Sequence, residues 1–215
     1  MAKRSATATD TSRVINADLA PDPNNPHSWL VLVGDPSDIT GPRLLTGTLR
    51  PLYRDAAVSS GAFAKLKLHP VPPPVPESWA PTAYRSEVLL PDGADDRFAC
   101  PRTLMEAADE LATAPTDALL AYATLTWMPQ RLHEQYETVR RFVVRTILPL
   151  GCPVLLVQHA PLFSRSRSLP HVHLCIVPVR LTHLGWADRV KLLCGDKARA
   201  FIRNGFDACL AEPPA

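Results

Sequence analysis

Three histidines in the second half of the chain constrain its fold more than any other feature. His171 and His173 lie two positions apart in an apolar run over residues 169–177, and this pattern predicts a β-strand. Because alternate side chains of a strand point to the same face, the two imidazoles are expected on one side of a sheet, about 7 Å apart. A second apolar run, over residues 153–158, also predicts a strand, and it ends at His159.

These two strands are expected to pair. The link between them, residues 160–170, is rich in turn-forming residues, so the second strand can fold back antiparallel to the first. All three imidazoles would then meet on one face, which suits a divalent metal. The sequence therefore predicts a metal site formed by His159, His171 and His173.

The same histidines also have a purely structural interpretation. A single histidine on an apolar strand is more often a hydrogen-bonded core or edge residue, and the chain has 7 histidines in all, so chance placement also accounts for the pattern. Cys175 shares the predicted face of His171 and His173, where it is either a fourth metal ligand or a packed core residue.

The charge of the chain does not identify a partner by itself. A net charge of +2, with 46% hydrophobic and 20% charged residues, is ordinary for a soluble globular protein. Basic residues nevertheless crowd the second half, beside the histidines: Arg140, Arg141, Arg145, Arg165, Arg167, Arg180, Arg189, Lys191, Lys197, Arg199 and Arg203. They form either a basic face around the predicted site or an ordinary solvated helix face.

The cysteines and the apolar runs indicate in which cellular compartment the protein is located. The 5 cysteines are scattered and contain no Cys-x-x-Cys pair, which argues against a disulfide scaffold or a zinc ribbon and fits a reducing environment. No apolar run approaches the roughly 20 residues that span a bilayer. The first residues also lack the apolar core of a secretion signal. We therefore expect a cytoplasmic protein without a membrane segment.

The sequence predicts one domain with two short ends. Residues 1–27 are expected to form a flexible arm, residues 28–210 the folded domain with a proline-rich linker at 69–81, and residues 211–215 a tail. Strands are predicted at 29–34, 85–91, 119–126, 153–159 and 169–177, and helices at 42–57, 101–113, 131–148, 187–193 and 197–210. This order predicts an α+β fold, a sandwich with a mainly antiparallel central sheet flanked by helices.

Several motifs follow one another in a recognisable order between residues 83 and 191. The segment Arg-Ser-Glu-Val-Leu-Leu-Pro-Asp-Gly-Ala at 85–94 precedes the helix that begins at Pro101, and Thr-Trp-Met-Pro-Gln-Arg-Leu at 126–132 precedes the helix over 134–148. Gly151, the strand ending at His159, the Pro-His-Val-His-Leu strand at 170–174 and Arg180 come next. This ordered set covers about half of the chain and resembles the MobA/MobL family of plasmid mobilisation relaxases.

The resemblance implies a fold and an activity. Relaxases of this family are HUH endonucleases, which nick one DNA strand at a transfer origin. The family's three metal ligands match His159, His171 and His173, which implies an HUH relaxase-like sandwich with Mn²⁺ or Mg²⁺ as the cofactor. Single-stranded DNA at a transfer origin is the implied substrate, and accessory mobilisation proteins are the implied partners.

The resemblance is weaker for the nucleophile and for the DNA contacts. The family's catalytic tyrosine lies near the N-terminus after the first strand, and Tyr53 is the best positional match, although this chain lacks the family's usual opening strand and alanine-rich helix. Tyr84 is followed by an arginine, as in the family's motif around the catalytic tyrosine, but it comes later in the chain than the family's nucleophile does. The resemblance and the position of the predicted site suggest DNA contacts for three arginines: Arg165, Arg167 and Arg180.

Two alternative functions also fit the sequence. A relaxase fold that has lost catalysis would bind DNA without cutting it. A histidine-triad nucleotide hydrolase also uses a His-x-His strand, but that family requires a histidine at the next alternate position, where this chain has Cys175.

Overall fold

A seven-stranded antiparallel sheet forms the centre of the fold. The computed structural model describes residues 12–36, 39, 41–161 and 168–212. The sheet strands are β1 (Arg13–Val14), β2 (Leu32–Gly34), β3 (Arg43–Leu49), β6 (Arg85–Leu89), β7 (Leu120–Thr126), β8 (Val154–His159) and β9 (His171–Ile176), in the spatial order β1-β2-β3-β7-β9-β8-β6. Every neighbouring pair is antiparallel.

Helices cover the sheet and two hairpins extend from it. The helices are α1 (Ser60–Leu68), α2 (Pro101–Glu110), α3 (Leu132–Phe142) and α4 (Lys197–Ala211). A π-helical turn (Val143–Ile147) and a short 3₁₀ turn (Leu148–Leu150) continue α3. One hairpin joins β4 (Leu52–Tyr53) to β5 (Ala56–Ala57), and the other joins β10 (Val179–Thr182) to β11 (Gly185–Arg189).

Hydrophobic side chains pack on both faces of the sheet, so the core has two layers. One face packs against α3 and α4, with Tyr136, Phe142 and Phe206 fully buried. The other packs against α1 and α2, with Phe63 and Phe98 buried there. Because the central strands are covered on both sides, they appear in the sequence as nearly continuous apolar runs rather than as alternating ones.

Helix α1 brings its last turn to the end of the sheet where β8 stops. Ser59 caps the helix by accepting a hydrogen bond from the backbone N–H of Ala62, and Ser60 N–H donates to Asp109 of α2 at 2.6 Å. At the other end of the helix, Lys67 is only 4% exposed. The carbonyl oxygen of Lys67 lies 2.6 Å from His159 Nε2, so the docking of α1 sets one boundary of the histidine group.

The predicted fold class is confirmed: the structure is α+β, with a mainly antiparallel central sheet flanked by helices. The antiparallel pairing of the two histidine-bearing strands is confirmed as well. In the fully described stretch between α1 and β6, the predicted proline-rich linker at 69–81 forms no helix or strand. None of the helices within the described residues combines the length and the apolar character that a membrane span requires.

The helix predicted over residues 42–57 is wrong, because this segment forms β3, β4 and β5. The error came from leucines on both faces of β3. Leu44 packs on the α3 and α4 side and Leu45 on the α1 and α2 side, so the apolar residues show no two-residue alternation. Thr46 and Thr48 are β-branched and were the residues that favoured a strand.

The other helix errors have local causes. The helix predicted over 187–193 is a strand, β11, followed by a 3₁₀ turn (Lys191–Leu193). Gly185, with φ of +104°, makes the tight turn that folds β11 back on β10. Helix α1 was not predicted, because two of its buried positions, Ser60 and Lys67, are polar and obscure the helical pattern.

Residues 12–27, expected to belong to a flexible arm, pack against the sheet instead. Strand β1 pairs with β2 at the sheet edge. The buried Asn16 side chain donates hydrogen bonds to the carbonyls of His27 and Leu30, at 2.6 and 2.7 Å, and accepts one from Leu32 N–H at 2.8 Å. These bonds hold His27 over the α1 face. Residues 1–11 and 213–215 lie outside the described residues.

Replacement of Gly47 by alanine tests the close approach of Leu30 to β3. A Cβ at position 47 would lie 2.6 Å from Leu30 Cδ1 and 2.6 Å from the carbonyl oxygen of Val31. We expect Gly47→Ala to lower the free energy of unfolding by about 1–3 kcal/mol, because backbone and a core leucine must move. Gly195→Ala is the control, since nothing lies within 4 Å of a Cβ there. Equal stability of both variants in chemical denaturation would contradict this packing.

Candidate metal centre

The pairing of β8 with β9 brings three imidazoles together at one end of the sheet. His159 is opposite His171, and His173 lies two residues further along the same face of β9. The ring centroid of His159 is 5.1 Å from that of His171 and 4.5 Å from that of His173, and the last two are 4.7 Å apart. One ligand atom from each ring lies within 4.8 Å of the other two.

Hydrogen bonds outside the group determine which nitrogens face inward. His159 Nε2 lies 2.6 Å from the carbonyl oxygen of Lys67, and His171 Nδ1 lies 2.7 Å from that of Leu169. A carbonyl oxygen only accepts, so both of these nitrogens carry hydrogen. The lone pairs are therefore on His159 Nδ1 and His171 Nε2, as metal ligation requires.

His173 is held by hydroxyl groups rather than by a carbonyl. Its Nδ1 lies 2.8 Å from Tyr122 Oη and 2.9 Å from Thr124 Oγ1, and both hydroxyls belong to the neighbouring strand β7. Its Nε2 lies 3.3 Å from His159 Nδ1. Nε2 is therefore the nitrogen that His173 presents to the group.

Burial keeps the three rings neutral. It lowers the pKa of His159 to about 4 and lowers the pKa of His171. For His173, which is only 2% exposed, burial lowers the pKa well below its usual range, and the charge of Lys67 adds to the effect. A neutral imidazole has a lone pair on one of its two nitrogens, so at neutral pH the three rings can bind a metal without releasing protons to solvent.

The surroundings of the group are basic. Lys67 Nζ lies 2.8 Å from His27 Nε2, and burial lowers the pKa of Lys67 to about 7. The electrostatic effects on the three histidines come from Lys67, from His27 and from one another, and no carboxylate of the described residues contributes. Because the three ligands are neutral and no carboxylate in the described part of the chain acts on them, the protein would not offset the positive charge of a cation bound here.

The donor set fits a divalent metal. Three neutral imidazoles are borderline ligands that suit Zn²⁺, Mn²⁺ and related transition metals, and three protein ligands leave coordination positions open for a substrate. His159 and His171 are partly exposed whereas His173 is buried, so a ligand has access from the side of His159 and His171.

The structure does not bring Tyr53 to the histidines. Strand β3 begins at Arg43, which lies across the sheet from His171 because both pair with Thr126 of β7. Tyr53 comes after Leu49, at the other end of β3, and therefore lies far from the histidines along the strand direction. Tyr53 lines a cavity of about 460 Å³ together with Thr46 of β3 and Ile202 of α4. That cavity lies on the α3 and α4 side of the sheet, away from the imidazoles.

Tyr84 lies at the histidine end of the sheet. It precedes Arg85, which pairs with Gln158 next to His159. Ala83 N–H donates to the carbonyl of Leu68. Leu68 follows Lys67, whose carbonyl contacts His159. Tyr84 is 50% exposed, and neither its place beside β8 nor the bond of Ala83 to α1 was visible in the sequence.

The other predicted site residues have different positions. Arg180 is exposed and packs beside Gly151, ahead of β8, at the opposite end of that strand from His159. Arg165 and Arg167 lie outside the described residues. Cys175 is fully buried in the α1 and α2 layer, and burial raises the pKa of its thiol to about 12.

Comparisons of the sequence and of the fold with known proteins give different results. No protein-family model and no curated protein matches the sequence. Among solved structures, the fold is similar to one described as the molecular basis of vancomycin resistance transfer in Staphylococcus aureus, with a TM-score of 0.48 and 18% identity over 60% of this chain and 71% of that chain.

Metal binding is testable without any substrate. We expect the protein to bind one Mn²⁺ and, at 100-fold excess over the dissociation constant, to gain about 2.7 kcal/mol in the free energy of unfolding. His171→Ala and His173→Ala remove a ligand and should abolish both effects in calorimetric titration and thermal unfolding. His183→Ala, at an exposed turn position, is the control and should bind like the wild type. Equal binding by all variants would rule out this site.

Burial of the imidazoles also predicts a loss of stability in mild acid. The pKa of His27 is lowered to about 3, mainly by burial, and that of His159 to about 4. In an unfolded chain a histidine protonates below about pH 6.5. Between these values the unfolded chain binds protons that the folded protein excludes, so the free energy of unfolding falls as the pH decreases from about 7 toward 4.

Urea denaturation of the metal-free protein at pH 7 and at pH 5 measures this loss. Each of the two histidines is expected to contribute up to about 2 kcal/mol to the difference. His27→Gln should therefore reduce the difference, and His183→Gln should leave it unchanged. The same pH dependence in His27→Gln and in the wild type would show that His27 is not buried in its neutral form.

Proposed function

We propose that this protein is a metal-dependent, relaxase-type nuclease that cuts single-stranded DNA at a transfer origin by tyrosine transesterification. The observation that carries the proposal is the group of three neutral imidazoles, His159, His171 and His173, with one nitrogen of each ring facing the other two at an accessible end of the sheet. The ordered motifs that resemble the MobA/MobL family support the same activity.

The charge of the site favours an anionic substrate. Three neutral ligands do not reduce the charge of a divalent cation, and the buried Lys67 adds positive potential nearby when it is protonated. A phosphodiester is anionic and supplies oxygen ligands for the open coordination positions, whereas a neutral peptide or ester gains less from this field. Mn²⁺ or Mg²⁺, when bound, would polarise the scissile phosphate and stabilise its developing charge.

The position of Tyr84 favours it as the nucleophile over Tyr53. Its hydroxyl oxygen would form a bond to phosphorus while the bond from phosphorus to the 3′ oxygen breaks. The hydroxyl proton passes to solvent, the 3′ oxygen takes up a proton, and the DNA remains joined to the protein as a 5′-phosphotyrosine. Tyr122 contacts His173, but it is buried, and burial raises its pKa well above the usual range, so it is unsuited to this attack.

Basic residues near the histidines are proposed to bind the DNA backbone. Arg43 begins β3 in the same row of the sheet as His171. Arg165 and Arg167 belong to the segment that connects His159 to His171 along the chain, and they are proposed to contact phosphates next to the scissile one. Arg180 lies at the other end of β8, so any contact it makes is with DNA farther from the metal.

A second function, metal-dependent DNA binding without cleavage, is favoured by one observation. Among the described residues, the tyrosine that touches the histidine group, Tyr122, is buried, and Tyr84 has to approach a bound phosphate from the sheet edge. The histidine-triad hydrolase is disfavoured, because Cys175 is buried with a raised thiol pKa at the position where that family needs an accessible histidine.

The decisive experiment is a search for a covalent protein–DNA conjugate. The full chain is incubated with Mn²⁺ and single-stranded oligonucleotides tiled across the DNA that flanks its own coding sequence, and the products are separated by denaturing electrophoresis. We expect a conjugate with the wild type and with Tyr53→Phe, and none with Tyr84→Phe or His171→Ala. Mass spectrometry of the digested conjugate identifies the modified tyrosine.

The remaining outcomes separate the alternatives. A conjugate that is lost only in Tyr53→Phe keeps the nuclease and reassigns its nucleophile. Salt-dependent DNA binding without any conjugate favours the non-catalytic function. Absence of both binding and conjugate would overturn the DNA proposal.

A further inference from the structure

We propose that Tyr122 and Thr124 are positioning residues that let His173 change tautomer when the metal binds, and that Tyr122 transmits this change to His27. The inference rests on the histidine group being a metal site, which the proposed function also requires, but it does not depend on DNA cleavage. The ligand concerned is His173, whose hydrogen-bond partners outside the histidine group are hydroxyls. Those of His159 and His171 are backbone carbonyls.

Three polar atoms form a closed triangle beneath His173. Thr124 Oγ1 donates to Tyr122 Oη at 2.8 Å, and the two hydroxyl oxygens lie 2.9 and 2.8 Å from His173 Nδ1. Tyr122 Oη is also 3.1 Å from His27 Nε2. Tyr122, Thr124 and His173 are all buried, so water does not replace these partners.

The hydrogen bonds define one tautomer of His173 without metal. His159 Nε2 donates to the Lys67 carbonyl, so His159 Nδ1 accepts. The 3.3 Å contact between His173 Nε2 and His159 Nδ1 is then a hydrogen bond that His173 donates. With hydrogen on Nε2, His173 Nδ1 accepts, and the hydroxyl of Tyr122 donates to it.

Metal ligation requires the other tautomer. His173 Nε2 must present its lone pair, so the ring hydrogen moves to Nδ1, with no net gain or loss of protons. Nδ1 then donates to Tyr122 Oη or to Thr124 Oγ1. A hydroxyl both donates and accepts, so the same two residues satisfy Nδ1 in either state. The carbonyls that hold His159 and His171 accept only and fix a single tautomer.

The change of tautomer at His173 also reorients the hydroxyl hydrogen of Tyr122. Once Tyr122 Oη accepts from His173 and from Thr124, its own hydrogen points away from them, and the remaining neighbour is His27 Nε2. That nitrogen also contacts Lys67 Nζ at 2.8 Å. Metal loading is therefore coupled to the environment of His27, which the N-terminal segment holds over the α1 face.

Matched variants measure the effect on metal affinity. Tyr122→Phe and Thr124→Val each remove one of the two hydroxyls, and we expect about 10-fold weaker Zn²⁺ binding for each and about 100-fold for the pair, as is typical when a hydrogen-bond partner of a metal ligand is removed. Tyr136→Phe is the control, because it deletes the hydroxyl of another buried tyrosine, whose partner, Glu87, lies on the opposite face. Thr46→Val is the control for Thr124→Val.

Nitrogen-15 NMR of the histidine rings, with Zn²⁺ as a diamagnetic probe, reads the tautomers directly in the wild-type protein. We expect His173 to carry hydrogen on Nε2 without metal and on Nδ1 with Zn²⁺, with a shift of the His27 resonances on loading. Zn²⁺ bound to Nε2 leaves the hydrogen on Nδ1 whatever Tyr122 does, so the results that test the role of Tyr122 are hydrogen on Nε2 without metal and the His27 shift on loading. The NMR measurement needs no variant, so it stands even where a substitution impairs folding.

The outcomes are distinguishable from those of the cleavage assay. Hydrogen on His173 Nδ1 in both states would overturn the inference, as would Tyr122→Phe binding Zn²⁺ as tightly as Tyr136→Phe. A wild-type protein that binds no Zn²⁺ would overturn both this inference and the metal site itself. Tautomer exchange in a protein that forms no DNA conjugate would support the inference and count against the nuclease.

Discussion

The register between β8 and β9 is the constraint on which the site depends. It places His159 opposite His171, and the two-residue period of β9 adds His173 to the same face. A slip of one residue would turn every side chain of β9 over and send its imidazoles into the α3 and α4 layer. The register is fixed because both faces of these strands are buried, so a slip would disrupt two hydrophobic layers at once. The stability of the core and the geometry of the site therefore have the same cause.

Burial sets both the protonation state of the histidines and the hydrogen-bond partners of His173. The same desolvation that lowers the histidine pKa values also excludes water from Tyr122 and Thr124, so His173 depends on these two hydroxyls for its outer hydrogen bonds. Helix α1 adds a carbonyl for His159 and the buried amino group of Lys67. Among the described residues, no carboxylate is one of the charges acting on the three rings, which distinguishes this site from metal centres in which acidic groups reduce the charge of the ion.

The sequence predicted those features that depend on local pattern. The apolar runs around His159 and around His171 and His173 predicted paired strands, and α3 and α4 followed from helical spacing and stop signals. It did not predict contacts that depend on packing between distant segments. Lys67 is the clearest example, since a lysine in a helix is ordinarily a surface residue, and only the docking of α1 buries it. Tyr53 was chosen by its order in the chain, whereas the sheet order brings Tyr84 to the histidine end.

The proposed chemistry requires three neutral imidazole nitrogens to bind a single divalent cation. Anomalous diffraction at the zinc edge from crystals of the Zn²⁺-loaded protein tests this binding most directly. We expect one peak about 2.1 Å from each of His159 Nδ1, His171 Nε2 and His173 Nε2. Zinc bound elsewhere, with no peak between these three nitrogens, would contradict the metal centre.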